Sequence, residues 1–383
     1  MTVEKPVVIK RVQAFAFRCP IKTPVVTSFG VMRDRPAVFL RVEDQDGCFG
    51  FGEVFANWPA AGAEHRVNLL YADLSDLVLG FVAQAPADLF HHLRQATRLR
   101  ALQCGEFGPF RQVIAGLDIA MWDLFARRAG APVRMLLNKG AVDRVPAYAS
   151  GIHIAAAHQM IAQARREGHI HFKVKVGFDL EKDSAAVLDL TQSLSGEETL
   201  AADANQAWDL ETALRFARKV QAAQLAWLEE PLPAYASHAD WQTLAAAASM
   251  PLAAGENVAG LEDFKAVVEQ GYLNVIQPDV IKWGGLSGCY DAAHLALKAG
   301  ARYCPHFLGG GIGLAASAEL LAAVGGDGLL EADVNPNPLR EAFEVRKGLY
   351  DASWNCSDEP GLGIETLPKE LAQYQTAQID MHV

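Results

Sequence analysis

A chain of 383 residues, 51% of them hydrophobic and 21% charged, is long enough to bury a large core, as two domains or as one barrel with additions. Its 45 acidic residues outnumber 34 basic ones, so the net charge is −11, and no basic face is left for a phosphate backbone; nucleic acid is not an expected partner. No apolar run reaches the ~18 residues of a membrane helix. The best, around Leu77–Ala83, is broken by Gly80. The N-terminus lacks the basic-then-apolar layout of a signal peptide, which predicts a cytoplasmic protein. The six cysteines are scattered without a Cys-x-x-Cys pair, which excludes a thiol redox or zinc motif of that spacing.

The N-terminal part begins with strand-like runs at Val7–Phe17 and Ala37–Val42. The turn Asp44-Gln45-Asp46-Gly47 then leads into Cys48–Val54, a hairpin signal. Helical text follows: Val113, Leu117, Ala120, Met121 and Leu124 recur at three and four, and Gly130 stands at a C-cap position. Strands followed by segregated helices predict an α+β domain. Near residue 145 the texture changes. Short β-rich runs at Val145–Ile152, Phe172–Val176, Thr199–Ala204, Ala226–Leu228, Leu252–Gly255, Val275–Ile281, Arg302–Pro305 and Leu329–Val334 alternate with helical segments, such as the amphipathic stretch capped by Asp209. Eight strands and seven helical segments predict a parallel α/β barrel. An open dinucleotide-binding sheet would need an early glycine-rich turn, and the only glycine cluster, Gly309 to Gly313, comes late.

In such a barrel the chemistry sits where strands end, on one face. Lys175, Asp203, Glu229, Glu256, Asp279, His306 and Glu331 fall at predicted strand ends, 23 to 28 residues apart, about one βα unit each. A lone carboxylate after a strand is more often a helix N-cap, and a lone His or Lys is usually structural or solvated. Seven in register outweigh those readings. Asp203, Glu229 and Glu256 end consecutive strands and form an all-oxygen set suited to Mg²⁺, with Mn²⁺ as substitute, rather than zinc. Lys173 and Lys175, at i and i+2 of a strand, enter the barrel together. Two close cations beside a metal are expected to lower a lysine pKa toward a working base. Asp279 and His306, on neighbouring strands, read as a base oriented by a carboxylate. Base, metal and opposite base make a site for removing a proton next to a carboxylate through an enediolate.

Several motifs now acquire a family. Phe172-Lys173-Val174-Lys175-Val176-Gly177, Asp203-Ala204-Asn205-Gln206, Trp227-Leu228-Glu229-Glu230-Pro231, Gly255-Glu256-Asn257, Gln277-Pro278-Asp279 and Pro305-His306 resemble the mandelate racemase group of the enolase superfamily. So do Gly50-Phe51-Gly52-Glu53, Ala115 to Asp123 and Pro360 to Ile364, which extends the resemblance over nearly the whole chain. It implies an α+β capping domain from residues 1–145, completed by the tail 355–383, over a (β/α)7β modified TIM barrel at 146–354. Further, it implies Asp203, Glu229 and Glu256 as Mg²⁺ ligands, taking the first Glu of the pair Glu229-Glu230, and a Lys or His base beside the metal. Lys175 would be one base and His306, paired with Asp279, the other. Lys173, Asn205 and Glu331 would contact the substrate carboxylate or its enediolate. Loops around Thr23–Gly30 and Phe55–Pro59 would close over the substrate, with polar Thr27, Ser28, Asn57 and His65 or aromatic Phe29, Phe55 and Trp58 selecting it. Lys282 stands where the muconate cycloisomerase group keeps its sixth-strand lysine, but the complete Asp279–His306 pair favours the mandelate racemase side.

An enediolate can be reprotonated on its other face, can expel a β-hydroxyl, or can eliminate a ring oxygen. Dehydration of an aldonate or aldarate to a 2-keto-3-deoxy acid is the leading expectation. Racemisation of a 2-hydroxy acid and cycloisomerisation of a sugar lactone or anhydro-sugar acid are the alternatives. A small-acid binder on a relic barrel would have lost a ligand or a base, and none is missing. A metal-free Schiff-base aldolase using Lys175 would leave the three carboxylates without a purpose. A homo-oligomer acting on a small carboxylate, with neither nucleic acid nor membrane as partner, completes the expectation.

Overall fold

The structure is a computed structural model that describes residues 5–27, 30–343 and 349–383. The chain opens with three long antiparallel strands, β1 (Val7–Thr27), β2 (Gly30–Asp44) and β3 (Phe49–Val54), joined in sequence order, and a short β4 (Val82–Ala83) pairs with the start of β1. On this sheet lies the helix Phe107–Arg128, whose residues Val113, Leu117, Ala120, Met121 and Leu124 are all buried. Glycines permit that close approach. A Cβ at Gly52 would lie 1.9 Å from the carbonyl oxygen of Gly116, and one at Gly116 would lie 2.5 Å from a methyl of Val54.

The barrel strands are β5 (Arg144–His153), β6 (His171–Lys175), β7 (Thr199–Asp203), β8 (Leu228–Glu229), β9 (Leu252–Ala254), β10 (Val275–Ile276), β11 (Arg302–Tyr303) and β12 (Leu330–Asp333). They run parallel in the order β11-β10-β9-β8-β7-β6-β5-β12. Because β12 pairs with β5, the sheet curls until its ends meet: the Leu329 N–H donates to the Cys304 sulfur (3.4 Å) and the Phe307 N–H to Glu331 Oε2 (3.0 Å). Seven helices connect the eight described strands, from Ala157–Arg166 to Gly311–Val324, so the expected (β/α)7β architecture is the observed one. A hairpin of β13 (Leu349–Tyr350) and β14 (Ser353–Asn355) flanks β5, and β15 (Gln375–His382) returns to pair with β1.

The ladder of β10 is shorter than the apolar text from Val275 to Ile281 suggests. Pro278 offers no N–H to a ladder, and the Asp279 carboxylate takes the Ile281 N–H (2.9 Å), turning the chain out of the sheet. Inside the barrel, Tyr148, Ala201, Trp227, Ala253, Val275, Cys304 and Leu329 form an apolar floor. Two residues further along six of these strands, the same face carries Ser150, Asp203, Glu229, Gln277, His306 and Glu331, all buried. The pleat alone therefore stacks a polar ring on an apolar plug.

Buried carboxylates stitch the cap to the barrel and to the C-terminal tail. Glu53 at the end of β3 accepts the N–H groups of Gly310 and Gly313 (2.5 and 2.7 Å), at the start of the helix after β11. Burial pushes its pKa up to about 7 even though those amides oppose the shift. Asp118 takes the Ser287 hydroxyl (2.6 Å) and N–H (2.9 Å), and Asp123 takes the N–H groups of Phe51 and Leu362, each at 2.7 Å. The close sheet–helix crossing is the packing these bonds depend on. Gly52→Ala is accordingly expected to cost about 1–3 kcal/mol or more, since backbone rather than a pliable side chain meets the new methyl; a thermal or urea melt beside wild type measures it.

Candidate active site

Lys173 and Lys175 leave β6 on the interior face and meet different carboxylates. The Lys173 ammonium, fully buried, lies 2.6 Å from Glu229 Oε1, 2.8 Å from Glu331 Oε1 and 3.8 Å from Asp203 Oδ2, above the ring of Tyr148. Lys175 donates to Asp203 Oδ2. Burial disfavours both ammonium charges, yet Glu229 and Glu331 carry the Lys173 pKa well above its usual value, and Asp203 raises that of Lys175 against the neighbouring Lys173. The carboxylates thus outweigh the second cation, and the lowering expected of these lysines belongs to the metal-loaded site.

Across the mouth, β11 is followed by His306. Its Nδ1 is 2.7 Å from Asp279 Oδ2 and its Nε2 contacts Glu256. Burial would depress the imidazolium, but Glu256 and Glu331, with the Asp279 bond, raise the His306 pKa well above its ordinary value. Asp279 is not the helix N-cap that a strand-end carboxylate suggests, since the next helix is capped at Gly284, but it does hold the intervening turn as well as His306. Its second oxygen accepts the Ile281 and Lys282 N–H groups (2.9 and 3.3 Å) while the first orients His306.

Glu229 is held by Lys173, the Trp227 indole N–H (3.0 Å) and the Gln277 amide (2.7 Å); burial lifts its pKa to about 7 against the pull of Lys173. Glu331 is lowered to about 2: burial opposes ionisation, but Lys173, His306 and Lys175 overcome it. Asp203 Oδ1 takes the N–H of Asn205 (2.8 Å) and Oδ2 takes its side-chain amide (3.3 Å). Asn205 and Glu230 both adopt positive φ, 45° and 39°, a costly backbone state that gathers at functional sites.

Glu230 is the residue that the sequence underweighted. It is buried, is held by the Asn257 amide (2.8 and 3.1 Å), and is pushed up to about 8 by burial and by the charges of Glu256 and Asp203. Asn257 also donates to Glu256 (2.8 Å) and accepts from Lys282 (2.6 Å), whose ammonium lies 5.1 Å from the centre of the Phe55 ring. The doubled Glu-Glu before a proline was the available signal for Glu230. Only the fold brings Gln277 and Asn257 into the network.

A divalent cation can be tested against this charge inventory. Asp203, Glu229, Glu230, Glu256, Asp279 and Glu331 face Lys173, Lys175, Lys282 and His306, so full ionisation leaves two negative charges in excess. Glu229 and Glu230, at about 7 and 8, are the groups that absorb the excess as protons. Asp203, Glu229 and Glu256 are hard oxygen donors at the ends of β7, β8 and β9, and one 2+ ion restores neutrality there; the donor set fits Mg²⁺. Among the described residues, no three His, Cys, Asp or Glu groups are drawn together at coordination distance. Lys175 holds Asp203, Lys173 holds Glu229, and His306 holds Glu256.

Of the cap residues expected to select substrate, Asn57 donates to the Leu308 carbonyl (3.1 Å), and Trp58 packs against Gly30; the segment expected as a loop from Thr23 is strand through Thr27, paired with the start of β2. His65 lies in the helix Gly62–Leu69, bonded to Glu106 (3.1 Å) within the cap. Ser28 and Phe29 fall outside the described residues, and Thr27 is described for its backbone alone. No described helix is long and apolar enough to cross a membrane.

With the barrel and its polar ring in view, comparison with known proteins identifies the class. Residues 10–138 match the mandelate racemase/muconate lactonizing enzyme N-terminal domain, and residues 155–370 match the enolase C-terminal domain-like model. The chain belongs to the mandelate racemase/muconate lactonizing enzyme family of the enolase superfamily. A solved mandelate racemase/muconate lactonizing enzyme from Bordetella bronchiseptica RB50 superposes with a TM-score of 0.91 at 45% identity, covering 96% of this chain and 99% of that one. The L-talarate/galactarate dehydratase of Salmonella typhimurium is 30% identical, covering 93% of this chain and 88% of that protein. A racemase from Streptomyces coelicolor A3(2), solved with bound magnesium, has a TM-score of 0.84 at 26% identity, covering 96% and 100%.

Asp279→Asn separates turn-holding from His306 support. The amide still accepts the Ile281 N–H, so the melting temperature is expected to stay near wild type. Loss of the charge lowers the His306 pKa, so the limb of the pH–rate profile belonging to that base moves to lower pH. Turnover falls by about 10²–10⁴-fold. Steady-state kinetics across pH, beside a melt, read all three.

Proposed function

We propose that this protein is a Mg²⁺-dependent enzyme that removes the proton next to a substrate carboxylate, and that its reaction is the dehydration of a sugar acid, an aldonate or aldarate, to a 2-keto-3-deoxy acid. The observation that carries the reading is the pair of proton-transfer groups on opposite sides of one mouth. Lys175 on β6 rests on Asp203, and His306 after β11 rests on Glu256, with four strands between them in the sheet. Each base is thus held on a member of the carboxylate set that fits the metal. Mg²⁺, when bound, supplies positive charge to substrate carboxylate oxygens as they gain charge in the enediolate. Asp203, Glu229 and Glu256 are the residues that would hold it.

The remaining steps belong to side chains. Lys173 presents its ammonium to the substrate carboxylate or its enediolate beside the Asn205 amide, and Glu331, ionised, reaches that contact through the Lys173 ammonium it holds. A cation held by Asp203 and Glu256 would take their charge away from Lys175 and His306 and so lower both pKa values toward the range in which a base works near neutral pH. One of them takes the proton from carbon 2. The other, on the opposite face, gives a proton to the hydroxyl leaving carbon 3, which departs as water. The resulting enol becomes the 2-keto-3-deoxy acid. Asp279 keeps the His306 proton on Nδ1 and leaves Nε2 for substrate. The similarity to L-talarate/galactarate dehydratase supports dehydration.

A second reading, racemisation of a 2-hydroxy acid, is favoured by the same two-faced arrangement and by the racemase from Streptomyces coelicolor. A panel of mono- and diacid sugars with Mg²⁺, followed by 2-keto acid formation and by α-proton exchange in deuterated water, decides between them. Dehydration yields 2-keto acid, whereas racemisation yields exchange and inversion alone. Absence of both would reject the proposal. Chelation by EDTA is expected to abolish turnover and added Mg²⁺ or Mn²⁺ to restore it, with Glu256→Gln blocking the restoration. Lys175→Ala and His306→Asn should each stop overall turnover, by about 10²-fold or more, while the mutant that retains the proton-abstracting base continues to exchange the α-proton.

A further inference from the structure

The first barrel strand carries a change of parity that no motif announces. Along β5, Val145, Ala147 and Ala149 pack outward into the layer beneath the helices, while Tyr148 between them belongs to the interior floor. Strict alternation would carry Ser150 and Ile152 inward and leave His153 outside. Ser150 does turn inward, bonding Glu331. Ile152, however, is in the outer layer with Val174, and His153 is the register partner of Lys175. The register shifts between Ala149 and Ile152, at Gly151, which adopts φ 74°. A bulge there adds one residue and re-aims everything after it. The bulge is held in place: Asn335 donates to the Gly151 carbonyl (2.8 Å), and a Cβ at Gly151 would lie 2.3 Å from Asp333 Oδ1.

The side chain delivered this way is prepared as a donor. His153 Nδ1 accepts the Ala155 N–H at 3.2 Å, so the neutral ring carries its proton on Nε2. The ring stacks on Phe178, from the loop after β6, with centroids 4.4 Å apart, which fixes its plane while leaving it partly exposed. Lys175 is one strand away on the same face.

From this placement, and resting on the function proposed above, we infer that His153 is a specificity-determining residue that binds substrate: on the Lys175 side of the mouth, its Nε2–H recognises a hydroxyl or carboxylate oxygen of the acid beyond the two reacting carbons. The residue selects polyhydroxylated acids over aromatic ones, because an aryl group offers that N–H no acceptor and leaves it unpaired.

His153 also caps the short turn Ile154–Ala156, so the test must separate capping from recognition. Asn caps well but is too short to reach substrate; Gln reaches with an N–H donor; Phe keeps the stack and loses the donor. Calorimetric titration with galactarate, galactonate and mandelate, on wild type and the three variants, each Mg²⁺-loaded and carrying His306→Asn to stop turnover, reads binding whichever reaction would follow. His153→Asn and His153→Phe are expected to weaken at least one sugar acid by about tenfold, the value of one neutral hydrogen bond. Mandelate should change less than twofold, and His153→Gln should retain most of the affinity. Wild-type binding of the sugar acids by His153→Asn would overturn the role of His153 while leaving the proposed function standing. Equal weakening of all three ligands with a lowered melting temperature would also overturn it, in favour of capping. A wild-type protein that binds neither sugar acid would overturn the sugar-acid reading and this assignment together.

Discussion

A fully buried ammonium, Lys173, sits between Glu229 and Glu331 at 2.6 and 2.8 Å, and much of the barrel mouth is organised around it. An unpaired charge at that depth would be prohibitively costly, and a carboxylate left without its partner there would be equally so. Each ion therefore requires the next. Glu331 also takes the Ser150 hydroxyl and the Phe307 N–H, which ties β12 to β5 and to the end of β11 where the barrel closes. Glu229 takes Trp227 and Gln277, which ties β8 to β10. The interactions that satisfy the buried Lys173 charge are also those that close the sheet.

Excess negative charge makes the site receptive. Glu229 and Glu230, lifted to about 7 and 8, record the cost of crowding carboxylates in a dry space. Lys175 and His306, raised by Asp203 and Glu256, record the same crowding with opposite sign. Under the proposed function, a divalent cation held by the carboxylates would relieve both at once, which would make metal binding and base activation one electrostatic event.

The cap contributes by clamping loops. Glu53 on Gly310 and Gly313, Phe55 N–H on the Ile281 carbonyl at 3.1 Å and Asn57 on the Leu308 carbonyl are four bonds from three alternate residues at and just beyond the end of β3. They grip the two loops that carry Asp279 and His306. The Asp279–His306 pair is thus positioned from both the barrel below and the cap above.

Spacing alone made the barrel and its ring of strand-end residues legible, because a βα unit has a nearly constant length and the pleat a period of two. Asp203, Glu229, Glu256, Asp279, His306 and Glu331 could be placed by counting, and the family motifs named their neighbours. What counting could not reach depends on contacts distant in the chain. The sign of the lysine shifts follows from which carboxylates come within 4 Å, and that requires the closed barrel. The roles of Glu53, Asp118 and Asp123 as seams require the cap to be docked. His153 escaped because the sequence period assumes an unbroken ladder, whereas the bulge at Gly151 is stabilised by Asp333 and Asn335, more than 180 residues away. Periodicity is a local property and is written in the sequence; the parity of a bulged strand and the charge of a buried site are decided only when distant strands are brought side by side.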